Sequence, residues 1–328
     1  MAQSLPSPAQ LEPLLGRRLI VVTGKGGTGK TTVSAALALG AAARGLRVCL
    51  VETGRDEEIP RLFGEAEPPV GHAGRQLRCG PTVMKMEPYA ALAEYLRLQL
   101  RIPGLVTRLL DQPGFHALLD AAPGWRELIT LGKVWHLLQP PPSSDEHIDL
   151  LIVDAPATGH GLTFLDVPSV VVSAVRTGPL QRHAGWVEEM VKDPERTLLL
   201  PVTLPEELPV RETLELLARA RDDVGIAIDR IVINATEPEP VPSELLDLPE
   251  RLAALPSSPD GLPSPATLAH CVRHRLERAA LHRDAINELR KGTDLPFVLL
   301  PNLDVDGGGR GVLEKLASTL LESGEPLP

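Results

Sequence analysis

Cysteine and aromatic residues are scarce in this chain. Three cysteines occur in 328 residues, at Cys49, Cys79 and Cys271. Their odd number and wide separation exclude a disulfide framework and give no paired-thiolate metal motif. Aromatic residues make up only 3% of the chain, so the core has to be filled by Leu, Val, Ile and Ala.

Long apolar runs and an excess of positive charge are missing as well. No stretch reaches the roughly 18 apolar residues that a membrane-spanning helix needs, and residues 1–15 lack the charged segment and apolar core of a secretion signal. We therefore expect a cytoplasmic protein without an integral membrane segment. The 33 Lys and Arg against 43 Asp and Glu give a net charge of −10, which disfavours nucleic acid as a partner, because phosphate binding needs a basic surface.

Short apolar segments of strand length alternate with helical patterns along the chain. Helices are predicted over residues 31–43, 267–290 and 312–321. Strands are predicted over residues 18–23, 47–52, 82–86, 148–153, 197–202, 226–233 and 296–300. This alternation indicates an α/β fold with a doubly wound, mostly parallel sheet that helices cover on both faces.

One segment is too long for a simple connection between strands. Residues 87–142 are mainly helical by pattern, and the pattern breaks at Pro103, Pro113 and Pro123. A crossover in an α/β unit is normally much shorter. We predict an inserted helical subdomain at this point.

The rest of the chain is expected to form one domain over residues 17–328. Residues 1–16 are predicted to be a flexible N-terminal arm, although Leu14 and Leu15 can dock a short turn. Residues 237–265 contain eight prolines among Ser, Glu and Asp, a composition typical of a loop or linker.

The first predicted strand leads into a glycine-rich loop. Residues 24–32 read GKGGTGKTT and match the Walker A spacing, after an apolar strand and before a helix. Backbone N–H groups of such a loop wrap the β-phosphate, Lys30 neutralises the β and γ oxygens, and the hydroxyl of Thr31 binds Mg²⁺ at the positive end of the helix. The sequence therefore predicts a site for ATP and Mg²⁺, with nucleotide contacts from Gly26, Gly27, Thr28, Gly29, Lys30, Thr31 and Thr32.

Lys25 is a second lysine in the same loop, and it distinguishes this loop from the ordinary Walker A. From behind the turn it does not easily reach the phosphates of its own subunit, but it can reach a nucleotide across a face-to-face dimer. A lysine on a loop is also often simply solvated. Both interpretations stay open on the sequence.

Several further segments resemble one family at once. Residues 154–168 read DAPATGHGLTFLDVP and are similar to a switch II in which an aspartate ends a strand. The other matching segments are MEP at 86–88, ALAEYL at 91–96, PGWREL at 123–128, VTLPE at 202–206, ET at 212–213, Asn234, Pro301 and GVL at 311–313. With the two-lysine loop, they resemble the ArsA-type ATPases, a family of the deviant Walker A group that includes MinD and ParA. The resemblance covers residues 18–320.

The resemblance implies a P-loop NTPase that hydrolyses ATP as a nucleotide-gated dimer. It implies that Lys25 acts across the interface and that Asp154 supports Mg²⁺ through water. It also implies that Asn234 reads adenine, and that Gly159 and Pro301 contact the nucleotide. Asp154 ends a strand where a doubly wound sheet binds its ligand. Plainer roles remain open, because Asp can cap the following turn and Asn often ends a strand.

The segment after the second predicted strand departs from the family. Members usually carry Ser-Thr-Asp-Pro there, and the aspartate orients the attacking water. If residues 63–64 are aligned with the family's Phe-Gly, Gly54 takes the aspartate's position. Glu52, Asp56 and Glu57 are the candidate substitutes. We favour Glu52 because it ends the strand and its longer side chain can hold a water at a different depth; if it only pairs with a cation, hydrolysis is slow or absent.

Metal-binding cysteines of the family are not matched. No Cys-x-x-Cys supports the zinc clasp of the members that target tail-anchored proteins, and the cysteines expected for arsenite are missing too. His270, Cys271 and His274 can share one helical face and offer a zinc site across a two-fold axis. A basic, solvated helix accounts for the same residues.

Three functions follow from these observations. The first is an ATPase whose closure around Mg·ATP reshapes residues 89–140 and thereby a site for a protein client. The second is a non-hydrolysing or very slow ATP-binding scaffold, either a homodimer or a heterodimer with a paralogue that supplies the missing acid. The third, a carrier of tail-anchored proteins, needs a broad apolar groove, which only four methionines and interrupted helices disfavour.

Overall fold

The computed structural model describes residues 13–54, 57–65, 67–100, 103–140, 147–237, 246–256, 263–303 and 309–322. The strands in these ranges are β1 (Leu19–Thr23), β2 (Val48–Glu52), β3 (Arg75–Gln76), β4 (Thr82–Lys85), β5 (Leu150–Asp154), β6 (Thr197–Thr203), β7 (Ile231–Thr236) and β8 (Phe297–Pro301). The helices are α1 (Lys30–Ala43), α2 (Ile59–Leu62), α3 (Pro88–Leu100), α4 (Pro103–Leu110), α5 (Pro113–Ala121), α6 (Trp125–Leu137), α7 (Thr158–Ala174), α8 (Pro179–Lys192), α9 (Glu207–Arg219), α10 (Leu248–Ala253), α11 (Pro265–Gly292) and α12 (Gly309–Glu322).

The strands form one sheet in the order β3-β4-β2-β5-β1-β6-β7-β8. Each neighbouring pair is parallel except the short edge pair of β3 and β4. All five residues of β1, of β2 and of β5 are buried, as expected of strands that are covered on both faces. The predicted doubly wound, mostly parallel α/β fold is confirmed. The loop after β1 lies where the strand order reverses, which is where open α/β sheets bind ligands.

Two apolar clusters cover the two faces of the sheet. On β1, Ile20 and Val22 contact the cluster built with α1 and α12, whereas Leu19 and Val21 contact the cluster built with α6, α7, α8, α9 and α11. The first cluster also contains Leu14 and Leu15, which lie in a 3-10 turn, Pro13–Gly16. The end of the expected N-terminal arm is therefore packed onto the domain, and residues 1–12 lie outside the described ranges.

Most strand boundaries agree with the sequence pattern to within two residues, but β7 does not. The pattern over residues 226–233 predicts a strand that begins five residues earlier than the one observed, Ile231–Thr236. Ile226 is buried at 5% exposure although it precedes the strand. Ile226 is buried because it packs beside the π-helical turn Ala220–Val224. The apolar pattern of the sequence therefore extends into the connection that precedes β7. The two-residue strand β3 has no pattern long enough to detect.

The helical region between β4 and β5 consists of α3, α4, α5 and α6. Pro103 and Pro113 begin α4 and α5, in agreement with the preference of proline for a first helical turn. The second proline-rich segment, over residues 237–265, differs from the predicted loop in its described part, where α10 packs against α11. Residues 238–245 and 257–262 lie outside the described ranges. In the parts of the chain that are described, none of the helices has the length and apolarity to cross a membrane.

Candidate nucleotide-binding site

The loop of residues 24–29 folds over the carboxyl end of β1, in contact with two neighbouring strands. Gly24, Gly27 and Gly29 have φ angles of 148°, 85° and 85°, which lie in a region that other residues rarely adopt. A Cβ on Gly24 would collide with the carbonyl oxygen of Val202, and one on Gly29 would collide with Nδ2 of Asn234. Only glycine permits this close approach to β6 and β7.

Several backbone N–H groups of this loop have no protein acceptor. Those of Gly26, Gly27, Gly29 and Lys30 donate to no acceptor among the described residues. The next two N–H groups belong to the first turn of α1, where an α-helix leaves its donors unpaired. Unpartnered amides at a positive helix end form an anion site. The geometry therefore fits the phosphates of a nucleotide.

The side chain of Lys30 folds back over the loop. Its Nζ donates to the carbonyl oxygen of Lys25 at 2.9 Å, and Oγ1 of Thr28 donates to the same oxygen at 3.0 Å. Burial lowers the pKa of Lys30, and the nearby carboxylate of Asp154 partly offsets this effect. A phosphate group in the loop would offer Lys30 a stronger, charge-assisted partner than this carbonyl.

Asp154 ends β5 and bonds directly to the first turns of α1. Its Oδ2 accepts from Oγ1 of Thr31 at 2.8 Å, and its Oδ1 accepts from Oγ of Ser34 at 3.3 Å. Burial raises the pKa of Asp154, whereas the Thr31 bond and the Lys30 charge oppose the increase. These contacts distinguish Asp154 from a residue that only caps the following turn. A hydroxyl and a carboxylate side by side are the hard oxygen donors that Mg²⁺ prefers, so the pair fits this ion.

Glu52 lies beside Asp154 at the same edge of the sheet. It is opposite Asp154 on β5 and Lys85 on β4, and it is only 3% exposed. Its Oε1 accepts the N–H groups of Glu58 at 2.7 Å and Ile59 at 3.3 Å, at the start of α2. Burial raises the pKa of Glu52, and these bonds and the Lys85 charge oppose the increase. Glu52 thus neighbours the candidate magnesium ligand and also has a cation beside it.

The other candidate acids are placed differently. The carboxylate of Glu57 accepts the N–H groups of Val70 and Gly71, each at 3.0 Å, and these bonds lower the pKa of Glu57. Both oxygens are thereby directed to the loop before β3 rather than to the glycine-rich loop. Asp56 lies outside the described residues. A Cβ on Gly54 would meet nothing within 4 Å, so the space for an aspartate at this position is open.

Lys25 does not extend freely into solvent. Its Nζ lies 2.8 Å from Oε1 of Glu212 on α9, and the two side chains are 29% and 34% exposed. Lys25 therefore contacts an acid of its own subunit in this structure.

Asn234 and Pro301 lie at the carboxyl ends of β7 and β8. Nδ2 of Asn234 donates to the carbonyl oxygen of Thr28 at 2.9 Å. The next residue, Ala235, has a φ of 54°, and the register between β7 and β8 shifts at this point. This bulge ends regular pairing beside the loop, and Pro301 is paired with Thr236 after it. Asn234 therefore holds the glycine-rich loop in addition to ending a strand.

Switch II begins next to the glycine-rich loop. Gly159 is the second residue of α7, and Ala157 is the residue before that helix. A Cβ on Gly26 would lie 3.9 Å from Cβ of Ala157. The start of the predicted switch II thus lies against the predicted phosphate loop.

Sequence reasoning missed several residues that build the site. Oγ1 of Thr53 donates to the carbonyl oxygen of Asp154 at 2.6 Å. A Cβ on Gly161 would lie 2.6 Å from Oγ1 of Thr23, so α7 approaches the end of β1 closely. Only Ser34 had a usable signal, since it follows Thr31 by three residues on the same helical face. The others, with Lys85, become neighbours only through the strand order.

The candidate zinc ligands lie on α11, away from this site. His270, Cys271 and His274 are exposed. Among the described residues, no cluster of three His, Cys, Asp or Glu side chains is arranged to hold a metal. The two observations give no support for a zinc site within one subunit.

The chain is similar to known ATPases over most of its length. Residues 17–186 match the family described as anion-transporting ATPase. ATPase BagA of Mycobacterium tuberculosis is 31% identical over 330 residues, which cover 95% of this chain and 94% of that protein. An arsenical pump-driving ATPase of Escherichia coli is 26% identical over 66% of this chain and 39% of its own length. An ATPase ASNA1 homolog of Entamoeba dispar is 26% identical over 72% of this chain and 82% of its own.

These matches agree with the geometry of the loop at residues 24–32 and with the carboxylate of Asp154 beside Thr31. The predicted resemblance to the ArsA-type ATPases is confirmed. The chain belongs to the anion-transporting ATPase family, ArsA.

Proposed function

We propose that this protein binds Mg·ATP in the loop of residues 24–32, hydrolyses it to ADP and phosphate, and acts as a nucleotide-gated dimer. The observation that carries the proposal is the bond between Thr31 and Asp154, next to a ring of unpartnered amides. This is the combination of anion site and hard-oxygen pair that phosphoryl transfer requires. ATP and Mg²⁺ are abundant in the cytoplasm, where we place the protein.

Different residues of the site have different roles in the proposed reaction. The loop amides and Lys30 bind the phosphates, and Thr31 with Asp154 would hold Mg²⁺, which supplies charge neutralisation at the transferring phosphoryl group. Glu52 is the described acid that lies beside Asp154, and we propose that it orients the attacking water. Gly159 and Pro301 complete the nucleotide contacts, and Asn234, which bonds to the loop at Thr28, is proposed to read adenine.

Lys25 supplies the dimeric part of the proposal. Its ion pair with Glu212 is partly exposed, and such pairs contribute only about 0–1 kcal/mol. A triphosphate on a second subunit carries more negative charge than one carboxylate and would compete for Lys25 effectively. We propose that Lys25 leaves Glu212 when two subunits close over ATP.

A row of contacts connects switch I, the segment after β2 that contains Gly54 and Glu57, to the helical region. Glu57 holds the backbone of Val70 and Gly71. The adjacent His72 lies with its Nε2 3.4 Å from Oε1 of Glu94 on α3, and Glu94 is paired with Lys133 on α6. A movement of switch I on nucleotide binding would reach both helices along this row. Closure is thereby proposed to reshape the region where a protein client binds.

Turnover of three proteins tests the enzyme claim. Wild type, Lys30→Ala and Lys25→Ala are compared for phosphate release at saturating ATP and Mg²⁺. We expect Lys30→Ala to abolish release and Lys25→Ala to reduce it while the monomer still binds ATP. A wild-type rate no greater than that of Lys30→Ala would eliminate hydrolysis as the function.

A second candidate function is favoured by Gly54, because the family's aspartate is missing from that position. It is an ATP-binding scaffold with very slow or no turnover, which pairs with itself or with a paralogue that supplies the acid. Light scattering with and without Mg·ATP, on the protein alone and mixed with such a paralogue, separates the two candidates. ATP-dependent dimerisation without phosphate release supports the scaffold.

A further inference from the structure

A cavity of about 340 Å³ lies between α3, α6 and α8, outside the nucleotide site. We call it the aromatic pocket, because its lining includes five rings, from Tyr95, Trp135, His136, His183 and Trp186. In a chain with 3% aromatic residues, two of the three tryptophans line this one cavity. The two buried apolar clusters are mainly aliphatic and contain one phenylalanine each, Phe63 and Phe164.

Four of these rings stack in a continuous series. The Trp135 and Trp186 rings are 5.2 Å apart and inclined by 10°, and the His183 ring lies 4.8 Å from Trp186 with an inclination of 25°. Tyr95 meets His183 edge-on at 5.2 Å. These spacings are typical of favourable aromatic pairs. These rings thus form one continuous wall of the cavity.

Gly132 on α6 widens the pocket. It lies in the interior of α6, where glycine is unfavourable compared with alanine. A Cβ at this position would meet nothing within 4 Å, and Gly132 belongs to the lining. The missing side chain therefore leaves space in the cavity that a bulky residue would fill.

The charges of the lining cancel. Apart from histidine, the lining contains one acidic side chain, Glu94, and one basic side chain, Lys133, and the two form an ion pair. Burial and the Arg182 charge lower the pKa of His183, which keeps its ring neutral near pH 7. A charged ligand would have to compete with the ion pair and lose its own hydration, which is costly in a half-buried site. An uncharged ligand leaves the pair intact.

The size of the cavity limits the ligand further. The volume lies at the lower end of the roughly 300–1,000 Å³ that small-molecule pockets span. Leu98, Leu180 and Trp186 at the mouth are 58%, 45% and 41% exposed, so the pocket is open to a solute.

We propose that the aromatic pocket binds one uncharged small molecule built of two aromatic ring systems. Because Glu94 belongs both to the pocket and to the row of contacts from switch I, such a ligand would adjust the response of the helical region to nucleotide. This coupling depends on the proposed ATPase function. The binding itself does not.

Fluorescence titration with N-phenylnaphthylamine tests the proposal, because this dye has two ring systems and no charge. The matched ligand is anilinonaphthalene sulfonate, which has the same rings and one negative charge. Gly132→Leu and Leu128→Trp fill the pocket from two successive turns of the same face of α6, and Gly132→Ala is the control that adds only a methyl group. Circular dichroism and ATP binding by calorimetry check the fold of each variant, and the titrations are performed without nucleotide.

We expect wild type and Gly132→Ala to bind the dye alike, and each filling variant to bind it at least tenfold more weakly. The sulfonate should bind wild type at least tenfold more weakly than the uncharged dye. Dye affinity that is unchanged in both folded filling variants would overturn the proposal, as would equal affinity for the two ligands. A third result would also overturn the proposal: the dye does not bind, an apolar helical peptide does bind, and the filling variants lose affinity for the peptide. The pocket would then receive a protein side chain and not a small molecule. None of these results bears on phosphate release, which is measured separately.

Discussion

Replacement of Glu52 by glutamine separates a chemical role of this acid from a structural one. The amide has the same shape, and its oxygen can still accept the N–H groups of Glu58 and Ile59 that Glu52 accepts at 2.7 and 3.3 Å. It cannot act as a base. A positioned general base contributes about 10²- to 10⁴-fold to a rate, so we expect Glu52→Gln to lose at least about a hundredfold in turnover.

The stability of this variant should change little. Because burial raises the pKa of Glu52, the charged carboxylate costs stability at every pH above its unfolded pKa, and the neutral amide removes that cost. The weaker hydrogen bonds of the amide act in the opposite direction, by about 1 kcal/mol. We therefore expect an unfolding free energy within ~1 kcal/mol of wild type, measured in urea, and an unchanged affinity for ATP in calorimetry.

The open space at Gly54 provides a rescue experiment. A Cβ there meets nothing within 4 Å, so Gly54→Asp restores the family's aspartate without a collision. In the Glu52→Gln background, we expect Gly54→Asp to recover about tenfold in turnover, as part of the effect of a general base, and Gly54→Asn to recover none. Retention of more than half of the wild-type rate by Glu52→Gln would refute the reasoning, because Glu52 would then only cap α2 and pair with Lys85.

Three further predictions address the contacts around the site. Glu212→Gln should free Lys25 from its ion pair. The ATP concentration for half-maximal dimerisation, measured by light scattering, should then fall by up to about fivefold, which corresponds to the ~1 kcal/mol of a partly exposed pair. Glu57→Gln should cost about 1 kcal/mol in urea unfolding at pH 7. Because the folded pKa of Glu57 is lowered, this stabilisation is present above the unfolded pKa, and the difference from wild type should vanish as the pH falls through the folded pKa. His72→Ala should keep ATP affinity but lose the change in tryptophan emission on adding Mg·ATP; an unchanged emission response would exclude the row of contacts as the connection.

The sheet and the fold of the glycine-rich loop could be predicted because both follow from local sequence patterns. Continuous apolar runs identify β1, β2 and β5, and the glycines at fixed spacing specify a backbone that only glycine adopts. The strand β7 was misplaced because the buried Ile226 extends the apolar pattern into a turn. A periodicity argument cannot tell a strand from a connection that packs on the same core.

The contacts of the site were predictable only in part. Thr31 and Asp154 were expected together, since a strand end and a helix start meet at one edge of the sheet. The pairing of Lys25 with Glu212 and the bonds of Glu57 to Val70 and Gly71 depend on where distant segments fold. No local pattern contains that information.

The position of Glu52 explains why Lys85 is buried beside it. Glu52 is the last residue of β2, whereas Gly54 follows the strand, so an acid at 52 instead of 54 lies within the edge of the sheet. There it is 3% exposed and opposite Asp154 on β5. Burial and the charge of Asp154 raise the pKa of Glu52, and Lys85, opposite Glu52 on β4, supplies a positive charge that opposes the increase. Glu52 and Lys85 therefore form one unit, and a relative with the aspartate at 54 and no acid at 52 has no electrostatic need for a lysine at the end of this strand.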